Sequence, residues 1–156
     1  MIGQIGPFSS DESPQVYLHG YVSCRLMNMA SDSTLPICVC ATSLDDSVLS
    51  LTPNSYNYNY RSVEIQGYGN IVKNSEGTLW AMQIKTDAVI PGRFEHTRFL
   101  PNGAEMQSTR ILKVALKTAS AKIRIGVPKD DKKDLRSEDI LEIGWTGVVR
   151  VSQKLE

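Results

Sequence analysis

Thr52-Pro-Asn-Ser-Tyr-Asn-Tyr-Asn-Tyr-Arg-Ser-Val-Glu-Ile-Gln-Gly-Tyr-Gly69 changes character halfway along. Thr52 to Tyr58 is polar, rich in Asn and broken by Pro53, which predicts a loop carrying polar and aromatic side chains. From Arg61 the chain alternates. Val63 and Ile65 fall on one face, and Ser62, Glu64 and Gln66 on the other, the period of a half-buried strand. Gly67 and Gly69 then mark a bulge, or a place where something bulky lies against the backbone. Such a loop and strand can present Tyr60, Arg61 and Ser62 as donors to a flat, anionic ligand, although a Tyr/Asn-rich loop is more often only a solvated connection.

Upstream, Met1 to Ile5 reads as the end of a strand, and Val16 to Leu18 as a short strand stopped by His19-Gly20. From Tyr21 the spacing turns helical: Val22, Leu26, Met29 and Ala30 share one face, with Ser23 and Arg25 in the first turns. A helix start offers free amides and partial positive charge; a hydroxyl and a guanidinium beside it make a phosphate seat. The plainer alternative is that Ser23 caps the helix and Arg25 faces water.

Pro36 to Thr42 and Val48 to Leu51 read as a hairpin turning at Asp45-Asp46. Asn74-Ser75 opens a helix in which Leu79, Met82, Ile84, Ala88 and Val89 form the apolar face and Trp80 packs on the sheet; it ends before Pro91-Gly92. Residues 91–103 form a long connection with Arg93, His96 and Arg98. Ile111 to Gly126 is a long strand with a basic face, Lys129 to Asp139 a mobile charged loop, and Leu141 to Val151 a closing strand with Trp145. Six or so strands with helices inserted between them, rather than alternating one for one, predict a mainly β, α+β antiparallel barrel with two or three peripheral helices.

Composition narrows the function. The length of 156 residues suits one domain, 1–156, with its own core. Seventeen basic residues balance seventeen acidic ones, so any anion site must be local. That balance argues against nucleic acid, even though Tyr56, Tyr58 and Tyr60 alternate as a stacking platform would. Cys24, Cys38 and Cys40 read as reduced core thiols, and a metal site lacks further ligands nearby. No apolar run is long enough to span a bilayer and no signal segment stands at Met1, so the expectation is a cytoplasmic or nuclear protein.

Five motifs in order carry a resemblance: Tyr17-Leu18-His19-Gly20-x-x-Ser23-x-Arg25; Asn59-Tyr60-Arg61-Ser62-Val63 with Gly67; Val89-Ile90-Pro91-Gly92-Arg93; Ser120-Ala121-Lys122-Ile123-Arg124-x-Gly126-x-Pro128-x-Asp130-Asp131; and Trp145-Thr146-Gly147-Val148. Together they resemble the FMN-binding split-barrel proteins related to pyridoxamine 5'-phosphate oxidase, in the flavin-nucleotide-binding branch that includes relatives of nitroimidazole reductases. The resemblance implies a split β-barrel, an FMN cofactor and a homodimer with the cofactor at the interface. It assigns Leu18, His19, Ser23 and Arg25 to the FMN phosphate and ribityl chain, Ser62 to the flavin, Arg61 to a phosphate or structural contact, and Trp145 to the flavin of the partner chain. The family's histidines before Asn-Tyr-Arg-Ser are replaced by Ser55 and Tyr56, and its usual N-terminal helix and hairpin precede the point where this sequence opens.

The function expected on this basis is a flavin-dependent oxidoreductase acting on a small molecule of unknown identity, in which the flavin moves the electrons and no catalytic side chain is assigned. The alternative is a catalytically inactive split-barrel dimer that has lost or weakened flavin binding.

Overall fold

The computed structural model describes residues 1–98 and 100–152. Six strands, β1 (Gly3–Gly6), β2 (Gln15–Tyr21), β3 (Leu35–Leu49), β4 (Asn57–Ile71), β5 (Thr109–Arg124) and β6 (Gly147–Arg150), form one sheet in the order β1-β2-β5-β4-β3-β6. Pairing is antiparallel: Gly3 lies opposite Leu18, Leu18 opposite Leu112, and Val48 opposite Val148. Among the described residues four α-helices connect the strands, α1 (Arg25–Asp32), α2 (Ser75–Val89), α3 (Gly103–Ser108) and α4 (Glu138–Ile143), one more than the upper count expected. The mainly β, antiparallel α+β class is as the sequence predicts.

The chain divides into two compact units, Met1–Cys38 with Ile65–Thr118 and Val39–Glu64 with Ala119–Glu156. In the first unit, alternation along β2 sends neighbouring side chains to opposite faces. Leu18 and Gly20 face α1, where a β-carbon at Gly20 would lie 2.6 Å from Met27 Cε. Arg110, opposite Gly20 on β5, reaches the same helix through Asn28 Oδ1 (3.2 Å) and Ser31 Oγ (2.7 Å). Tyr17 and His19 take the other face, under α2. There Tyr17, Ala81 and Ile111 are buried together, and Trp80 meets Tyr17 edge to face at 4.9 Å, as its expected packing role requires. Each large side chain buried here stabilises the fold by about 1.5–3 kcal/mol, so the two faces of β2 hold both helices in place.

The helical faces read from sequence are shifted. α1 begins at Arg25 with Cys24 as its N-cap, and it buries Met27 and Ala30 while Met29 is exposed. α2 buries Gly77, Thr78 and Ala81, leaving Val89 in solvent. Gly67 and Gly69 do admit a close neighbour, but it is protein: a β-carbon at Gly67 would lie 2.0 Å from the Ala115 carbonyl oxygen, and one at Gly69 2.9 Å from Ile37.

In the second unit the expected turn at Asp45-Asp46 is absent, and β3 runs through both residues. The reason is that both carboxylates have partners across the sheet. Asp45 accepts from Arg61, and Asp46 from the Asn59 amide at 3.0 Å. Asn59, only 3% exposed, also donates to the Gly126 carbonyl (3.0 Å) and accepts from Gly126 N–H (2.8 Å) and Arg124 (3.1 Å). The expected loop over Lys129 to Asp139 is instead ordered by a short 3-10 turn, Asp134–Arg136, and by Asp130, which accepts from Leu51 N–H at 2.7 Å. α4 then occupies the first part of the span read as the closing strand, leaving only Gly147–Arg150 extended.

Candidate functional site

Four of the expected site residues lie in the first unit and three in the second. Within the first, the structure separates what the sequence grouped. Leu18 is buried on the α1 face of β2, so its side chain is core. His19 turns to the α2 face, where Lys85 Nζ lies 2.8 Å from its Nδ1. With the ammonium donating, Nδ1 is the acceptor and the ring proton sits on Nε2. Burial first, then the Lys85 charge, holds the imidazole below its ordinary range, and burial lowers Lys85 as well. Lys85 was not a sequence candidate, and no local motif could have paired it with a histidine 66 positions away.

Ser23 and Arg25 are both exposed at the amino end of α1. Ser23 precedes the N-cap and does not cap the helix, because Cys24 holds that place and contributes no side-chain bond. The first intrahelical bond runs from Asn28 N–H to the Cys24 carbonyl at 3.0 Å, so the amides of the first turn have no acceptor within the helix. No acidic residue occupies that turn, and Arg25 has no ion-pair partner among the described residues. A hydroxyl, an unpaired guanidinium and open amides are the donor set that a phosphate dianion takes.

His19 and Lys85 also line a cavity of about 780 Å³ with Arg93, Arg98, Phe94 and Met82. Arg98 pairs with Glu105, which belongs to a capping box at the start of α3: Glu105 N–H donates to Asn102 Oδ1 (2.9 Å) and Asn102 N–H to Glu105 Oε2 (2.8 Å). The Asn102-x-x-Glu105 spacing carries that signal in the sequence, where the segment reads only as a connection.

In the second unit Arg61 is held by Asp45 through Nε (2.9 Å) and Nη2 (2.8 Å). Of the two roles open to it, phosphate or structural contact, this geometry serves the structural one. The Asp45 carboxyl is correspondingly drawn below its ordinary value by the Arg61 hydrogen bond. Ser62 Oγ donates to the Lys122 carbonyl at 3.4 Å, a long bond that leaves the hydroxyl available. Trp145 is 62% exposed, lying over Gly147, where a β-carbon would come within 2.5 Å of the indole. The three cysteines form no disulfide, but Cys38 and Cys40 are exposed and not core. No helix among the described residues is long and apolar enough to cross a membrane.

The family model described as pyridoxamine 5'-phosphate oxidase matches residues 9–123, well over half of the chain. The chain belongs to the pyridoxamine 5'-phosphate oxidase family. Among curated protein sequences none matches significantly. Solved structures share the fold. The flavocytochrome Anf3 from Azotobacter vinelandii superposes with a TM-score of 0.71 at 24% identity, over 99% of this chain and 73% of its own. The FAD and heme binding protein from Mycobacterium smegmatis gives 0.74 at 23% identity, over 95% and 75%. A candidate 5-nitroimidazole antibiotic resistance protein from Bacteroides thetaiotaomicron VPI-5482 gives 0.52 at 13% identity, over 75% and 73%. The fold shared with these structures is the split β-barrel expected from the motifs. The matched span holds Leu18, His19, Ser23, Arg25, Arg61 and Ser62, and Trp145 lies beyond it.

Proposed function

We propose that the chain is an FMN-binding flavoprotein, working as a flavin-dependent oxidoreductase on a small molecule and assembled as a homodimer. One observation carries the reading: within the span matched to the family, Ser23 and the unpaired Arg25 stand at the open amino end of α1. A bound FMN supplies two-electron chemistry, and the protein supplies its position and surroundings. Arg25 takes the phosphate charge, Ser23 and the first-turn amides donate to its oxygens, and Leu18 fixes the strand leading into the seat from within the core. His19, its side chain facing α2 and its N–H given to the Ile2 carbonyl, borders that seat without donating to it. Two fold neighbours, a flavocytochrome and an FAD and heme binding protein, support flavin as the cofactor class.

The exposed Trp145 offers its indole to a second subunit, the role its position in the resemblance implies. Three cysteines outside any disulfide suit a reducing compartment such as the cytoplasm. The absorption spectrum of purified protein tests the reading. Yellow protein whose chromophore is released as FMN on denaturation supports it. Colourless protein that FMN titration leaves without a flavin band favours the inactive split-barrel dimer instead.

A further inference from the structure

The cavity on the α2 side of the first unit carries more positive charge than the described residues neutralise. Lys85, Arg93 and Arg98 line it against a single carboxylate, Glu105, and that carboxylate is committed to Arg98. Of the nearby acids outside the lining, Asp87 accepts from Phe94 N–H at 2.8 Å, and Glu95 is exposed on the 3-10 turn Phe94–His96. Among the described residues, Lys85 therefore has only the neutral His19 ring nitrogen as a partner, and the Arg93 side chain makes no hydrogen bond or ion pair. The carboxyl end of α2 offsets this by about half an elementary charge, less than the two unneutralised cations.

The walls between those charges are apolar. Met82 and the buried Phe94 form the inner side, while Val89 and Ile90 stand exposed in the lining. A half-buried Lys85 without counter-charge and apolar surface left in water are each unfavourable alone, and a ligand joining an anionic head to an apolar body relieves both, with the exposed Arg93 in the same lining adding to the attraction for the head. A volume of about 780 Å³ is that of a small-molecule site.

We propose that this cavity binds a small oxyanion carried on an apolar body, with Lys85 and Arg93 holding the charged head and Met82, Phe94, Val89 and Ile90 covering the body. The lowered positions of His19 and Lys85 agree with a site waiting for negative charge, since a bound anion favours the protonated form of both. The inference shares His19 with the flavin reading but does not depend on it.

Isothermal titration of the full chain at low ionic strength tests it with three probes of one shape: 4-phenylbutyrate, 3-phenylpropyl phosphate and 4-phenylbutylamine. One or both anions bind at one per chain and the amine does not; whichever anion is tighter identifies the head group as carboxylate or phosphate. The K85Q/R93Q variant loses at least tenfold in affinity for the bound anion. Should that variant not fold, V89E, which changes only an exposed position in the lining, must weaken the anion by a similar factor. Absence of binding by both anions, equal binding of the amine, or variants within twofold of the parent overturns the proposal. So does displacement of the anion by FMN mole for mole, which would make the cavity the flavin seat. Anion binding retained by protein that takes up no FMN leaves this site standing and refutes the flavin reading alone.

Discussion

Lys85 Nζ lies 2.8 Å from His19 Nδ1, joining the middle of β2 to the last turns of α2. The contact follows from parity. Two positions from Tyr17, His19 must share the face on which Tyr17 packs under Trp80, and that face is covered by α2 and not by α1. A histidine that the sequence places beside the phosphate seat thus belongs, by its side chain, to the cavity on the other side of the strand.

The pair makes stability depend on pH in a definite direction. The native imidazole is held below its ordinary value of 6.5, so just under pH 6.5 the unfolded chain binds more protons than the native one. Stability contributed by neutral His19 is full above pH 6.5 and lost as pH falls through the lowered native value. Urea midpoints measured from pH 8 to pH 5 will fall more steeply for the parent than for His19→Gln, which keeps an acceptor for Lys85 but cannot titrate. Parallel curves would remove the imidazole from the cause.

Asn59 ties β4 to Asp46 and to both backbone groups of Gly126. Replacing it with alanine strands the Gly126 N–H and C=O and takes a donor from Asp46, while Arg124 keeps the Tyr58 carbonyl at 3.1 Å. Unsatisfied buried groups cost about 1–3 kcal/mol each, partly recovered where water enters. Asn59→Ala is therefore expected to lower unfolding free energy by about 2 kcal/mol or more in denaturant titration, and a change under 0.5 kcal/mol, about the noise of a surface substitution, would contradict the pinning role.

Two glycines make a controlled pair. At Gly67 an added methyl meets the Ala115 carbonyl oxygen at 2.0 Å, a backbone atom that cannot rotate away. At Gly103, the first residue of α3, it meets nothing within 4 Å. Gly67→Ala is expected to cost about 1–3 kcal/mol through forced separation of β4 from β5. Gly103→Ala is expected to be neutral or to stabilise by up to about 1 kcal/mol, because it lowers the entropy of the unfolded chain. Thermal melts of the two variants read the difference, and equal melting temperatures would contradict it.

What the sequence made legible was set by strictly local patterns. Alternation from Val63 to Ile65 located β4, and the ordered motifs located the family, because both signals survive without knowledge of neighbours. The hairpin at Asp45-Asp46 failed for the converse reason. Two adjacent carboxylates look like a turn until Arg61 and Asn59, brought alongside by β4, turn them into cross-strand acceptors. The same holds at Asp130 and Asp134 in the charged segment, where long-range bonding and burial order what composition marks as mobile. Around the candidate site, the place of Ser23 and Arg25 near a helix start was readable from spacing, whereas Lys85 was visible only once β2 and α2 were packed.

Arg25 and Arg61 answer the cofactor question differently, and the contrast can be measured. Arg61 already spends its guanidinium on Asp45, while Arg25 has no ion-pair partner among the described residues. If Arg25 takes the FMN phosphate, its loss removes a charge-assisted bond of about 1.5–3 kcal/mol, some tenfold to more than a hundredfold in affinity. Arg25→Gln should therefore weaken FMN by that factor and riboflavin, which lacks the phosphate, by less than twofold. Arg61→Gln should leave the ratio of FMN to riboflavin affinity unchanged, since the group it removes faces a carboxylate of the chain itself. Flavin fluorescence quenching on titration measures all six affinities, both flavins against the parent and the two variants, and equal losses for FMN and riboflavin in Arg25→Gln would take the phosphate away from α1.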